Sequence, residues 1–187
     1  MKDKMLELLR SIKRDGLDNL IQYLETTDFF EAPASSRFHS NFLGGLVEHS
    51  IKVYEVLKKD LENSDIKVDE DSIKIVALLH DICKINYYKV DYRNTKNEYG
   101  QWIKVPYYTV DDELPYGHGE KSVYMLSSFI KLTREEAMAI RWHMGGFDSS
   151  VKGGDFSLSK AFTDYPLALM LHIADIKSTY LYEEIKK

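Results

Sequence analysis

Apolar residues recur at helical spacing along most of this chain. Leu6, Leu9 and Ile12 begin a short amphipathic helix, and Leu17, Leu20, Ile21 and Leu24 form a second, with Gly16 as the break between them. The stretch from Phe29 to Arg37 reads as a loop. A longer helix is predicted from Phe42 to about Leu61, with Leu46, Val53, Val56 and Leu57 on its apolar side. A polar connection, Asn63 to Asp69, leads into a helix over about Ser72 to Lys84, capped by Asp69 or Asp71. The pattern then changes. Tyr87 to Tyr92 and Trp102 to Val110 are rich in aromatic and β-branched residues, and they flank the turn-forming stretch Asn94 to Gly100, which predicts a β-hairpin. Helical spacing returns from Gly119 to Lys131. Thr133 with Glu136 is a capping-box start for a helix through about His143. Gly145 to Asp155, with four glycines, reads as a loop, and Tyr165 to Tyr180 as a final helix with Pro166 in its first turn. The expected architecture is all-α, a helical bundle with one small hairpin inserted.

Composition narrows the setting. At 187 residues with 44% hydrophobic and 29% charged content, the chain fits one domain with its own core. The expected organisation is a single domain over 1–187, with N-terminal helices and a loop over 1–36 ahead of a core over 37–180. No apolar run reaches the roughly 20 residues of a membrane span. Met1 to Arg10 lacks the apolar core of a signal peptide, and a single cysteine suits a reducing compartment, so a cytoplasmic location is expected. A net charge of −5 argues against a broad nucleic-acid surface, yet a small phosphorylated substrate needs only a few local cations.

The chemistry starts at the end of the apolar run Ile73 to Leu79, where His80 and Asp81 stand side by side. A carboxylate there is costly unless something compensates it. A metal ion would. Further candidate ligands lie on separate predicted helices: His49 after Gly44-Gly45-Leu46-Val47-Glu48, His118 after Pro115-Tyr116-Gly117, His143 before Met144-Gly145-Gly146, and Asp175 within Leu171-His172-Ile173-Ala174-Asp175. Helical bundles build metal sites by pointing such groups inward from different helices. Imidazoles mixed with carboxylates suit Mn, Fe, Co, Ni or Zn better than Ca.

The order His49, His80-Asp81, His118, His143, Asp175 resembles the HD-domain metal-dependent phosphohydrolase superfamily, over about residues 37 to 180. The wording Gly-Gly-Leu-Val-Glu-His before His49 and Leu-Leu-His-Asp-Ile-Cys-Lys around the pair is most similar to the HD domains of bacterial 3′–5′ exoribonucleases and phage-type relatives. Cys83 stands where many relatives have Gly. The resemblance implies an HD-domain bundle in which His49, His80, Asp81 and Asp175 hold one divalent metal. In the two-metal branch, His118 and His143 hold a second, with Asp81 bridging. It implies hydrolysis of a phosphoester or phosphoanhydride in a nucleotide or short nucleic acid by a metal-activated hydroxide. Two alternatives stay open: a one-metal (deoxy)nucleotide triphosphohydrolase or 5′-nucleotidase, and a non-catalytic regulatory module that binds metal and nucleotide.

Around this set, Asp81 and Lys84 are the residues assigned to catalysis. Lys84 lies at i+3 from Asp81 and either meets a phosphate or pairs with that carboxylate. Arg37, His39, Lys84 and Tyr87 are the candidates for substrate binding. His172 shares a face with Asp175 and reads as a supporting or core histidine. The hairpin aromatics, Tyr87, Tyr88, Trp102, Tyr107 and Tyr108, either stack on a base or pack into an interface. The expected partners are a nucleotide or phosphorylated small molecule, a short single-stranded nucleic acid, and a second copy of the chain in a homodimer, with no membrane.

Overall fold

A computed structural model describes residues 1–36 and 40–183. In chain order it contains α1 (Lys2–Arg10), α2 (Leu17–Glu25), α3 (Gly45–Glu62), α4 (Glu70–Leu79), β1 (Tyr88–Lys96), β2 (Trp102–Val110), α5 (His118–Ser127), α6 (Arg134–Trp142), α7 (Ser149–Lys152), α8 (Ser157–Asp164) and α9 (Pro166–Lys177). The fold is all-α with one antiparallel hairpin. Helix α3 is the central element: it lies against α4 and α9, and α6 packs on α9 and α5. One apolar cluster runs through the bundle. It takes Leu46, Val53 and Leu57 from α3, Ile75 to Leu79 from α4 and Leu167 and Leu171 from α9. Met5, Leu9, Leu20 and Leu24 of the first two helices and Phe29 of the following loop join the same cluster.

Local chemistry explains the boundaries. Asp69 caps α4 by accepting from the Asp71 amide at 3.1 Å. The helix expected to reach Lys84 stops at Leu79, and a 3₁₀ turn, Ile82–Lys84, follows. That break turns His80 and Asp81 inward at the end of the apolar run. Helix α3 starts three residues later than expected because Gly44 is left-handed, with φ 79°. Thr133 and Glu136 form the expected capping box on α6. The second strand matches its expected bounds, while the first runs four residues longer at the hairpin tip, to Lys96, because the Asn97 side chain takes over the turn, accepting from the Tyr99 and Gln101 amides.

Three expectations change after His143. The glycine-rich stretch 145–155 is not all loop: it holds a 3₁₀ turn, Gly145–Phe147, and the short helix α7, which Asp148 caps at Ser150. Helix α8 was not expected at all; Asp155 accepts from the Ser157 amide at its start. The last helix also ends earlier, at Lys177, and continues as a π-helical turn, Ser178–Tyr182.

Candidate metal centre

Six sequence-predicted residues meet on the inner side of the bundle. His49 comes from the first turns of α3, His80 and Asp81 from the break after α4, His118 from the start of α5, His143 from the end of α6 and Asp175 from α9. Asp81 is the hub. Its Oδ1 lies 2.7 Å from His118 Nε2 and 3.5 Å from His143 Nε2. Its Oδ2 lies 3.5 Å from His80 Nε2 and 3.8 Å from His49 Nε2. His49 Nε2 also approaches Asp175 Oδ1, at 3.2 Å. Three overlapping sets, His49–His80–Asp81, His80–His143–Asp175 and Asp81–His118–His143, each offer ligand atoms within 4.8 Å of one another.

The imidazoles are oriented from behind. His80 Nδ1–H donates to the Ala77 carbonyl at 2.9 Å, and His143 Nδ1–H to the Ile140 carbonyl at 2.7 Å. Each bond is a helix-end carbonyl three residues back, and each leaves Nε2 unprotonated and aimed at the cluster. Among the described residues, neither Nε2 has a hydrogen-bond partner, and both are buried. Orphaned buried acceptors are rare and call for an explanation. A divalent cation at these lone pairs accounts for both, and the imidazole–carboxylate set fits a transition metal. The side-chain carboxylate behind His49 is Glu183, whose Oε1 accepts from His49 Nδ1–H at 2.6 Å and whose Oε2 accepts from the Ser40 hydroxyl at 2.6 Å. Carboxylate–histidine–metal chains of this kind fix the ring and its tautomer.

Electrostatics describe the same cluster without an ion. Burial pushes His80 down, assisted by the nearby His143 and His49, to about 3. For His49, burial works against the charged ring, but hydrogen bonds to Asp175 and Glu183 outweigh it and raise it to about 10. His118 is likewise raised to about 10: burial opposes its charge, and Cys83 and Asp81 overcome that. Asp81 is held well below the ordinary carboxylate range despite burial, by Lys84, His80 and His118. Asp175 is lowered too, against its own burial, through His49.

The cluster floors a cavity of about 580 Å³, a size that suits a nucleotide-scale ligand. Lys84 reaches it with Nζ 2.5 Å from Asp81 Oδ2 and 2.6 Å from the Ala34 carbonyl. Burial opposes its charge, yet Asp81 holds its pKa above the ordinary lysine value. Lys152 from α7 brings a second cation, and Tyr88, Phe147 and Tyr180 line the walls. Tyr87, expected at the substrate, does not line the cavity; strand alternation turns it toward Lys121, and Tyr88 takes the place. Arg37 and His39 lie outside the described residues. His172 is a support: its Nδ1–H donates to the His143 carbonyl at 2.6 Å. Arg141 pairs with Asp148 and Glu120, and Asp112 with Lys121, so neither Arg141 nor Asp112 joins the cluster. Glu183 and Lys152 are not singled out in the sequence, and Tyr88 is named there only among the hairpin aromatics. For Tyr88, the strand pattern carried the signal, one residue out of phase.

Comparison with known proteins agrees with this arrangement. Residues 46–179 match the HD domain family. The dihydroneopterin 2′,3′-cyclic phosphate phosphodiesterase of Methanocaldococcus jannaschii is 41% identical over 58 residues, which are 29% of this chain and 23% of that protein. The chain thus spans less than a quarter of that relative's length. No solved structure matches the chain. The match of residues 46–179 encloses His49, His80, Asp81, His118, His143 and Asp175, and the protein belongs to the HD domain family.

Proposed function

We propose that the protein is a metal-dependent phosphohydrolase that cleaves a phosphoester or phosphoanhydride bond in a nucleotide or short nucleic acid. The observation that carries this reading is the pair of buried Nε2 atoms of His80 and His143, both orphaned and both facing Asp81. His49, His80, Asp81 and Asp175 would hold one metal, and Asp81, His118 and His143 a second. The division of Asp81 supports a bridging role: Oδ1 faces His118 and His143, while Oδ2 faces His80 and His49. A divalent metal bound there supplies Lewis acidity and lowers the pKa of a coordinated water toward about 7.

The chain's own groups do the remaining work. Lys84 keeps its charge in the cavity wall and offsets negative charge that gathers on phosphoryl oxygens. Its two anchors, Asp81 and the Ala34 carbonyl, fix Nζ in place before substrate arrives. Lys152 offers a second contact for a phosphate, and the aromatic walls exclude water and face a base. The name of the archaeal relative, a phosphodiesterase acting on a cyclic phosphate, favours a diester substrate. In this reading residues 1–187 work as one domain in the cytoplasm; the shared apolar cluster and the Arg14–Glu136 pair support the first part.

A second reading rests on His118, whose side chain is the most exposed of the four histidines around Asp81 and already contacts that carboxylate directly. In a one-metal nucleotidase it would bind phosphate rather than metal. The test is metal content and hydrolysis after loading with Mn²⁺, for wild type and Asp81→Ala. Wild type is expected to hold two ions and cleave bis(p-nitrophenyl) phosphate without releasing free phosphate. Asp81→Ala is expected to lose metal and at least a hundredfold in rate. Unchanged metal content and rate in the variant would overturn the proposal, and one ion with no action on the diester but release of phosphate from a nucleoside 5′-monophosphate would select the second reading.

A further inference from the structure

The hairpin has a chemistry that the cavity does not use. Strand pairing places Tyr88 opposite Val110, Val90 opposite Tyr108, Tyr92 opposite Pro106 and Lys96 opposite Trp102. All of these share one face, because side chains alternate along a strand. That face is open: Val90 is 56% exposed, Tyr92 62% and Trp102 69%. A two-stranded hairpin is marginal alone, and an open aromatic face of this extent marks a binding surface. The charged residues on it are Lys96 and Lys104, with no Asp or Glu among them. This bias stands out in a chain of net charge −5. Lys96 Nζ lies 5.3 Å above the Trp102 ring, so a cation sits beside the outermost stacking position. The face is also continuous with the cavity. Tyr88, at its inner end, lines the cavity and meets Tyr108 edge-on at 6.2 Å. From Lys96 to Tyr88 the strand covers about 27 Å.

We infer that this face of the hairpin binds single-stranded nucleic acid and leads its end to the metal centre. Aromatic rings accept any base by stacking, and the lysines follow the phosphates. Polyanion is favoured over a second copy of the chain by charge. Lys96 and Lys104 give the face one sign of charge, and Asp111 and Asp112 at the hairpin base are already held by Lys89 and Lys121. Delivery to the centre rests on the catalytic reading above; binding to the face does not.

The experiment is fluorescence anisotropy with a 5′-labelled single strand of about 12 nucleotides, within the roughly 4–16 that one such platform covers. The full chain is used in EDTA, which separates binding from turnover. Wild type is expected to bind the single strand more tightly than the same sequence as a duplex. Trp102→Ala is expected to weaken binding about 5- to 150-fold, the span of a lost base–aromatic stack. Lys104→Ala is expected to flatten the salt dependence. Circular dichroism checks that both variants fold. The inference is overturned if wild type does not bind the strand, if it binds duplex equally well, or if both variants bind like wild type. It is also overturned if Trp102→Ala turns a dimer into a monomer by size-exclusion chromatography while strand binding is unchanged. Hydrolysis of bis(p-nitrophenyl) phosphate by wild type reports on the catalytic reading separately, since that compound needs no hairpin.

Discussion

Glu183 is the residue on which the orientation of His49 depends. Its side chain is 3% exposed, and it accepts two hydrogen bonds of 2.6 Å, from His49 Nδ1–H and the Ser40 hydroxyl. Both are charge-assisted and short, which places them among the stronger protein hydrogen bonds. Glu183→Gln keeps an oxygen that can accept from His49 but loses the charge that makes the ring a better donor to a metal. Glu183→Ala removes the acceptor itself. Carboxylates that support a ligating histidine are worth about 10- to 100-fold in metal affinity. The Gln variant is therefore expected near the tenfold end, about 1.4 kcal/mol, and the Ala variant near a hundredfold, about 2.7 kcal/mol. Calorimetric titration of Mn²⁺ into metal-free protein at fixed pH measures both, and thermal unfolding of the metal-free forms separates positioning from loss of fold. A dissociation constant within twofold of wild type for Glu183→Ala, in a folded protein, would refute the reasoning.

Two further tests concern the frame. Glu136 is fully buried and binds both guanidinium nitrogens of Arg14, the Ser72 hydroxyl and the Thr133 amide. Since Arg14 is partly solvated, Glu136→Gln is expected to cost about 2–3 kcal/mol, below the 3–5 of a fully buried pair, or roughly 4–12 °C in melting temperature. Burial raises the Glu136 pKa, but Arg14, Thr133 and Ser72 together bring it below the ordinary value. Its contribution is thus complete above the unfolded pKa of about 4.3 and fades as pH falls through the folded one; denaturant titrations from pH 7 down to pH 3 should show a steeper loss in wild type than in the variant. Gly145 has φ +51°, and a Cβ there would lie 2.2 Å from His172 Cε1. Gly145→Ala is expected to cost about 1–3 kcal/mol and weaken metal binding by displacing His172 from the His143 carbonyl. Adding His172→Ala should recover part of the stability in a double-mutant cycle, and strict additivity would argue against the clash.

How much of this was legible follows from where the information sits. The bundle could be read because most of its helices carry one apolar stripe and the last is apolar nearly all round, and the hairpin because its composition changes abruptly. The six clustered residues could be read because each is a histidine or carboxylate at an element end, in a recurring order. The failures are local. Helix α8 is short and follows glycines, so the spacing of Leu158, Ala161 and Phe162 covers barely two turns, and it is started by an Asp155 side-chain bond that spacing does not reveal. The choice between Tyr87 and Tyr88 turns on the phase of a strand, and a shift of one residue reverses which face a side chain takes. Glu183 follows a π-helical turn, which has no sequence signature of its own, so its return to His49 could be found only in three dimensions.

The His49–Glu183 contact joins residues 134 positions apart. Closing a loop of that length costs about 4 kcal/mol of chain entropy. Short-range contacts in α3 and α4 can form well before that closure. The metal pocket is then among the last parts of the chain to assemble during folding. Interactions absent from the folding transition state act on the unfolding rate. An ion bound across α3, α4 and α9 would leave the speed of folding nearly unchanged and lengthen the lifetime of the folded protein, so that chelation would show first as faster unfolding.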